Sequence, residues 1–454
     1  MPLKAIHSWQ EALLVYTKPR VIGMLFLGFS AGLPFLLVFS TLSAWLKEEG
    51  ISRSVIGFFA WVGITYSIKF FWAPIIDRIN LPWLERKLGH RRSWMLVAQL
   101  GIASGLVFLS GLNPQEQVTI VALAAVWVAF SSATQDIVID AYRIEALDVE
   151  YQAAMAGAYQ AGWRIGAALV GGAACLYLAE FFSWQIAYMV MAACVSVGIV
   201  TVLVISEPDR QVSNQTWLEE QRVIDFLADS QHWPEKPRKL FAWIIGAVIC
   251  PFVDFFVRNG KLALAILLFI GLYRISDITL AIMANPFYLD MGFTKTEIAN
   301  VTKIYGVVLT IAGAAVGGIF VLRYGVMRML LVGAVLVAIT NLLYMAMVPR
   351  GHDMLWFILI ICADNFSGGF ASSAFIAYLS GLTNKAYTAT QYALFSSLMT
   401  LPAKFISGFS GIVVDNSGYT FFFIYAACLG IPAILMVLFL MHRTRFHVNS
   451  KGNA

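Results

Sequence analysis

Residues 131–147 read SSATQDIVIDAYRIEAL, and they close an apolar run that begins at Val118. A helix needs about 20 mostly apolar residues to cross the hydrocarbon core of a bilayer, so the chain reaches this stretch inside a membrane. Gln135, Asp136 and Asp140 then fall within little more than one helical turn. Asp136 and Asp140 are four residues apart and share a helix face. A carboxylate at bilayer depth costs roughly 3 kcal/mol on insertion scales. Two on one face therefore point into a protein-lined, wet interior. They serve either as interhelical hydrogen-bond anchors or as a proton or substrate site, and the second reading is taken forward.

The rest of the chain is built in the same way. Its 454 residues are 59% hydrophobic and 13% charged, with a mean hydropathy of +0.76. A soluble protein of this size has too little interior to hide that apolar surface. Twelve span-length runs are legible, at 21–45, 55–76, 93–112, 118–142, 152–179 and 184–205, then at 261–286, 298–322, 327–348, 354–382, 389–414 and 421–441. Between the sixth and seventh lies the only long polar stretch, 207–240, broken by Pro208, Pro234 and Pro237. The run 241–257 is short, contains Pro251, and ends with Asp254 and Arg258 four apart. It reads as an interfacial helix, with a thirteenth span as the alternative. DAYRIEAL in span 4 is weakly echoed by IAYLSGL in span 10.

These features predict an all-α polytopic membrane protein of the major facilitator fold, with 12 transmembrane helices in two six-helix halves. The halves are 1–206 and 261–454, and 207–260 is a cytoplasmic linker carrying the interfacial helix. Most of the 31 Lys and Arg fall in the segments on the same side as the N-terminus, which places both termini and the linker in the cytoplasm. Without the interfacial reading of 241–257 the second half would flip. No cleavable signal pattern follows the first run, and the reading is of a monomer.

Enzyme and nucleic-acid classes find little support. The net charge of +5 is scattered, which argues against a nucleic-acid surface. Cys175, Cys194, Cys250, Cys362 and Cys428 show no CxxC spacing, and the six His lie in loops or tails. No Walker-type loop, metal-spaced His pair or GxSxG elbow is present, so no cofactor and no metal are expected.

Nine ionisable residues lie in or at the edges of spans: Lys69, Asp136, Asp140, Arg164, Arg274, Asp277, Lys303, Asp364 and Lys404. At roughly 3 kcal/mol each if unpaired, their cost exceeds a typical net stability of about 5–15 kcal/mol. They must be paired, solvated or compensated by a ligand. Arg274 and Asp277, three apart, either pair locally or face a ligand, while Lys303 snorkels to the rim. A cavity with several cations suits an anionic, peptide- or carboxylate-bearing substrate. Tyr66, Tyr159, Trp163, Tyr273 and Tyr305 offer flat faces to a sugar ring, or simply pack.

Asp77 and Arg78 end span 2, and Arg91 and Arg92 follow in LGHRRSW. Positive-inside anchoring suffices to explain the arginines. The arrangement also resembles the Asp-Arg…Gly-Arg-Arg loop of major facilitator transporters, stretched here by an insertion around 81–88. In that family the loop latches the cytoplasmic ends of the two halves.

The chain as a whole resembles the AmpG-type muropeptide permeases of Gram-negative bacteria. The strings that carry the likeness are GFSAGLP and AWL in span 1, IGFF…KFFWAPIIDR in span 2 and SATQDIVIDA in span 4. PFVDFFVRN, LYRISD and SGGFASSAFIAYL…NKAYTATQYAL continue it. The resemblance implies proton-driven import of anhydromuramyl-peptide wall fragments across the inner membrane. It puts the important aspartates of span 4 on Asp136 and Asp140, and the basic positions of spans 2, 5 and 7 on Lys69, Arg164 and Arg274. Some family members carry two further C-terminal spans, whereas this chain stops after the twelfth. Asp364–Asn365 stands where Glu-Asn occurs, and Lys404 where Arg occurs. The acetyl-CoA transporters share the TQD…D string, so that motif alone names no substrate.

The resulting assignment makes Asp136 and Asp140 the proton-coupling pair. The substrate site comprises Lys69, Gln135, Arg164, Arg274, Asp277, Tyr66, Trp163 and Lys404, and the gating loop comprises Asp77, Arg78, Arg91 and Arg92. Partners are an anionic glycopeptide, protons and the bilayer. Asp136 is the deeper aspartate, about 27 Å along the helix from Val118, and Asp140 nears the rim, where it can pair with Arg143. The alternatives are transport of another anionic metabolite such as an acyl-CoA, and a transport-inactive sensor of wall fragments, for which no loop is large enough to form an output domain.

Overall fold

A computed structural model of the chain describes residues 14–51, 55, 59–208, 221–407 and 409–451, and every regular element among them is helical. Most of IGFF and residues 209–220 of the linker lie outside the described residues. In lipid a backbone must satisfy its own polar groups, which leaves apolar runs little choice but helix.

In the first half, α1 (Pro19–Leu37) and α2 (Ser40–Glu48) make the first crossing. The second is broken into short pieces: a turn at Ala60–Gly63, α3 (Ile64–Ser67), a turn at Lys69–Phe71, and α4 (Ala73–Arg78). The inserted loop carries α5 (Pro82–Leu88). Then come α6 (His90–Ser110) and α7 (Pro114–Ala146). The fifth crossing is α8 (Gln152–Arg164), which continues through a π-helical stretch, Ile165–Ala174, into α9 (Cys175–Phe181). The sixth is α10 (Trp184–Cys194) with α11 (Ser196–Val204). Polar caps set the ends: Asn113 accepts from the Gln115 amide ahead of α7, and Ser183 from the Ile186 amide ahead of α10.

The linker holds α12 (Gln221–Asp229) and α13 (Glu235–Ile244), which runs on through Ile245–Ile249 into α14 (Cys250–Asn259). Gly260 breaks that helix with φ +50°, a conformation glycine adopts without steric cost. The second half contains α15 (Ala263–Leu272), α16 (Ile275–Asp290), α17 (Lys295–Asn300), α18 (Val307–Tyr324) and α19 (Val326–Met347). It continues with α20 (Met354–Leu382), α21 (Thr388–Ser407), α22 (Ser410–Cys428) and α23 (Ile431–Lys451). Among the described residues, ten helical stretches are long and apolar enough to cross a membrane. The expected crossings outside that set are the fragmented 55–76 and 389–414, the latter running through α21 into α22 up to the bend at Gly418.

Helices α1 and α8 touch backbone to backbone. A β-carbon at Gly28 or Gly32 would collide with the carbonyls of Tyr159 and Trp163, the close approach that small residues permit between membrane helices. The pair α18 and α20 repeats this at Gly313 and Gly369. The halves meet where α8 packs on α18 and α20, and where α4 and α7 pack on α21. Helix α13–α14 crosses one end of this bundle. Arg78 Nη2 donates to the Gly246 carbonyl at 3.3 Å, and Arg258 Nη2 to the Leu382 carbonyl at 3.0 Å. Those anchor points are about 18 Å apart along the helix and both belong to the end where α4, α20 and α21 terminate.

Candidate functional site

At that end the loop carrying Asp77, Arg78, Arg91 and Arg92 forms a buried charge network, a latch between the halves. Arg91 bridges two carboxylates, with Nη2 at 2.9 Å from Asp77 Oδ1 and 2.6 Å from Glu145 Oε1, and Nε donating to Glu145 Oε2 at 3.0 Å. Both carboxylates then reach the other half. Asp77 accepts the amides of Ala389 (3.2 Å) and Thr390 (2.8 Å) and the Thr390 hydroxyl (2.8 Å), and Glu145 accepts the Thr388 hydroxyl (2.7 Å). Asp77 thus caps the N-terminus of α21, where free amides and the helix dipole favour an anion. Burial works against the charge on Asp77, yet Arg91 and the Thr390 donors hold its carboxyl below the ordinary aspartate range. Arg92 fastens the loop to α11, donating to the carbonyls of Val202 and Leu203 at 2.7 and 2.8 Å. Glu207 accepts the amides of Arg91 and Arg92 at 2.7 and 3.1 Å. Burial raises the Glu207 carboxyl above the usual glutamate value despite those amides.

Asp140 lies above the latch, and it does pair with Arg143, at 3.3 Å, with Lys69 3.9 Å away on its other oxygen. Arg143 is 1% exposed; it donates to Ser380 of α20 at 2.7 Å and lies 5.0 Å from the Tyr392 ring of α21. Asp136 sits one turn deeper. Its Oδ1 has no hydrogen-bond partner among the described residues, and Lys69 and Asp140 act on it electrostatically.

Across the interface, Arg274 pairs with Asp277 at 2.6 Å and donates to Ser372 at 2.7 Å, so the local pairing is present. Its Nε stays unpartnered among the described residues. Arg164 of the first half feels both Arg274 and Asp277, but has no carboxylate within ion-pair distance among those residues; its guanidinium stands 5.8 Å from the Trp163 ring. Lys404 of α21 donates to Ser67 of the first half at 3.0 Å, and that hydroxyl is the only hydrogen-bond partner of its ammonium among the described residues. Lys69, Asp136, Tyr66, Trp163 and Arg164 of the first half thus connect to Arg274, Asp277 and Lys404 of the second through the electrostatic coupling of Arg164 and the Lys404–Ser67 bond, and this set forms one candidate zone. Gln135 does not join it. Its Oε1 accepts from Ser30 at 2.9 Å, next to Gln99, inside the first-half bundle. Tyr273 is also tied up, stacked 4.3 Å from Phe375 and bonded to the Leu330 carbonyl.

Other groups of this zone escaped the sequence reading. Phe35 and Phe39 connect the aromatic side chains, with ring centroids 5.8 Å (Phe35–Tyr66), 5.3 Å (Phe35–Trp163) and 6.0 Å (Phe39–Tyr66) apart. Their signal was adjacency to GFSAGLP, masked by the general abundance of Phe. Asp364 is one of the ionisable span residues read from the sequence. Here it accepts from the Tyr344 hydroxyl at 3.1 Å, which lies 2.9 Å from that of Tyr288. Chemically, the zone offers two cations with no carboxylate partner among the described residues, Arg164 and Lys404, flat faces for rings, and a carboxylate beside an amine that can exchange a proton.

Residues 21–283 and 262–453 match the profile of the Major Facilitator Superfamily. The anhydromuropeptide permease of Escherichia coli is 32% identical over 429 residues, 94% of this chain and 81% of that protein. Among solved structures, the proton:xylose symporter XylE superposes with a TM-score of 0.64 at 13% identity, covering 95% of this chain and 96% of that one. The human organic anion transporter MFSD10 gives 0.62, also at 13% identity, covering 92% and 99%.

Proposed function

The chain belongs to the major facilitator superfamily and, within it, to the family of the anhydromuropeptide permeases, and on that premise we propose that it imports anhydromuropeptides across a bacterial inner membrane, driven by protons. It is a transporter and not an enzyme. The observation that carries the cargo assignment is the pair Arg164 and Lys404, cations between the halves with no carboxylate partner among the described residues. A GlcNAc-anhydroMurNAc-peptide brings carboxylates to Arg164, Lys404 and Arg274, and pyranose rings to Tyr66, Trp163 and their neighbours Phe35 and Phe39. The XylE and MFSD10 likenesses support the fold alone.

In this reading residues 1–206 and 261–454 rock about the zone, and 207–260 joins them with α13–α14 on the inner membrane surface. The latched end is cytoplasmic, both termini lie on that side, and the latched arrangement is the outward-facing state of a monomer. Asp136 carries the proton, taken from the periplasm and released inward as its exposure and its distance from Lys69 change. Asp140 holds the inner gate through Arg143 and Ser380.

Uptake of purified anhydromuropeptide into proteoliposomes, with and without an imposed pH gradient, tests the reading. Accumulation that follows the gradient supports it. Uptake indifferent to the gradient removes the proton, and uptake of an acyl-CoA in place of the glycopeptide replaces the cargo.

A further inference from the structure

Two strings of the sequence, PFVDFFVRN and NKAYTATQYAL, take no part in the transport zone, yet they meet in the fold. Gln391 joins them: its Nε2 donates to the Pro251 carbonyl at 2.8 Å and to Asp254 at 2.9 Å, and its Oε1 accepts from the Asn384 amide at 2.8 Å and from Arg258 at 3.1 Å. Below this polar knot the two helices part. A cavity of about 300 Å³ opens between α14, α15 and α21, walled by Phe252, Phe255, Phe256, Leu267, Leu394 and Leu398. It runs from Thr390 to Leu398, about 12 Å along α21, from the latched end toward the membrane interior.

An apolar volume of this size does not stay empty at no cost, because its lining forfeits dispersion contacts. Water is a poor filler, since below Gln391 the walls offer it almost no polar partner. The chain is a membrane protein, so the apolar matter at hand is the hydrocarbon of the bilayer. The polar end of the slot is followed by basic residues: Arg258 bonds the lining residue Gln391, the exposed Lys261 comes next on the α14–α15 elbow, and Lys385 precedes Gln391 in the loop before α21, with Asp254 the carboxylate of the knot. Basic residues beside an amphipathic helix at headgroup depth attract anionic lipid. We infer that this slot is a binding site for an anionic phospholipid, with one acyl chain between α14 and α21 and the headgroup at Lys261 and Arg258. Thr390 lines the slot and also donates to Asp77, so the bound chain braces the first turn of the helix that the latch grips. The site is independent of the cargo.

The full-length protein, stripped of lipid, is titrated with phosphatidylglycerol and with phosphatidylcholine of the same chains, and adducts are counted by native mass spectrometry. One phosphatidylglycerol should be held about fivefold more tightly than phosphatidylcholine, as one nearby cation contributes. Lys261→Glu should abolish that preference, and Leu394→Trp, which fills the slot, should remove the tightest adduct. Equal retention of the two lipids by the wild-type protein overturns the assignment, as does a tightest adduct unchanged in Leu394→Trp. Should that variant fail to fold, phosphatidylglycerol with a diazirine at its chain end is photolysed on the wild-type protein. Labels at 251–256 or 394–398 support the site. Labels confined elsewhere, or a detergent molecule that phosphatidylglycerol fails to displace, sink it.

Discussion

The latch and the transport zone are both made of charges in a low-dielectric setting, and they differ in how far those charges are satisfied. At the latch both Asp77 oxygens and both Glu145 oxygens have partners, supplied by Arg91 and by donors of the opposite half, and Arg91 Nη1 is left without one among the described residues. In the transport zone Asp136 Oδ1 and Arg274 Nε lack partners, and Arg164 and Lys404 lack carboxylates, among the described residues. A satisfied buried network fixes one geometry, whereas an under-satisfied one holds its interaction capacity for something that arrives later. The first arrangement suits a clasp and the second the proposed binding site.

If that contrast is right, damage to the latch should register as lost stability, and damage to the zone as lost transport. The largest effect is expected from Arg91→Ala, which strands two buried carboxylates. Removing one partner from such a network costs about 3–5 kcal/mol, visible as a steep fall in the thermal midpoint of the detergent-solubilised protein. Arg164→Gln should move that midpoint by less than about 2 °C; equal losses in both variants would erase the distinction. Next comes Asp136→Asn, which should abolish accumulation against a gradient while leaving exchange of cargo measurable. A variant that still concentrates substrate shifts the proton to Asp277 or Asp364.

Arg164→Lys sharpens the comparison further, because a point charge cannot reproduce a planar two-pronged contact. The apparent KM should rise several-fold with expression unchanged, and an unaltered KM would mean that Arg164 only balances charge. The smallest effect is a pH slope. Asp77 is held below its ordinary value, so its contribution is complete above an unfolded pKa of about 3.9 and fades only as pH falls through the lower folded value. Glu207 is raised, so its contribution is complete below about 4.3 and declines as pH rises through the folded value. The thermal midpoint should therefore drift slightly downward from pH 4.5 to 7, and Glu207→Gln should remove the drift. A drift that persists in the variant assigns it to another group.

Much of this was legible in the chain because lipid imposes a simple rule: apolar runs of span length are helices, and charges inside them face protein. Asp136, Asp140, Lys69, Arg164 and Arg274 were found that way, and the loop signature located Asp77 and Arg91. Gln135 was misplaced because adjacency in sequence is 100° of rotation on a helix, enough to turn it from the zone toward Ser30 and Gln99. Glu145 was overlooked for the same reason. It follows Asp136 by nine residues, half a rotation away, so a search along the aspartate face passes it by. Phe35 and Phe39 needed the close α1–α8 crossing to be recognised, since apolar residues in a membrane helix carry no periodic signal of what they face. The Gln391 knot reaches Pro251 and Asp254, 140 and 137 positions away, and no local pattern announces such a meeting.

The cap on α21 has a consequence for observation. Its first amides, Ala389 and Thr390, are protected by a carboxylate that belongs to the other half of the molecule, so α21 is a complete helix only while the two halves touch at this end. Each time they separate, those two amides meet solvent and can trade hydrogen for deuterium. Their exchange rate in unlabelled protein therefore reports the opening of this end, as its frequency where exchange outpaces reclosing and as the open fraction where it does not. Cargo, protons or lipid would be read as changes in its pace.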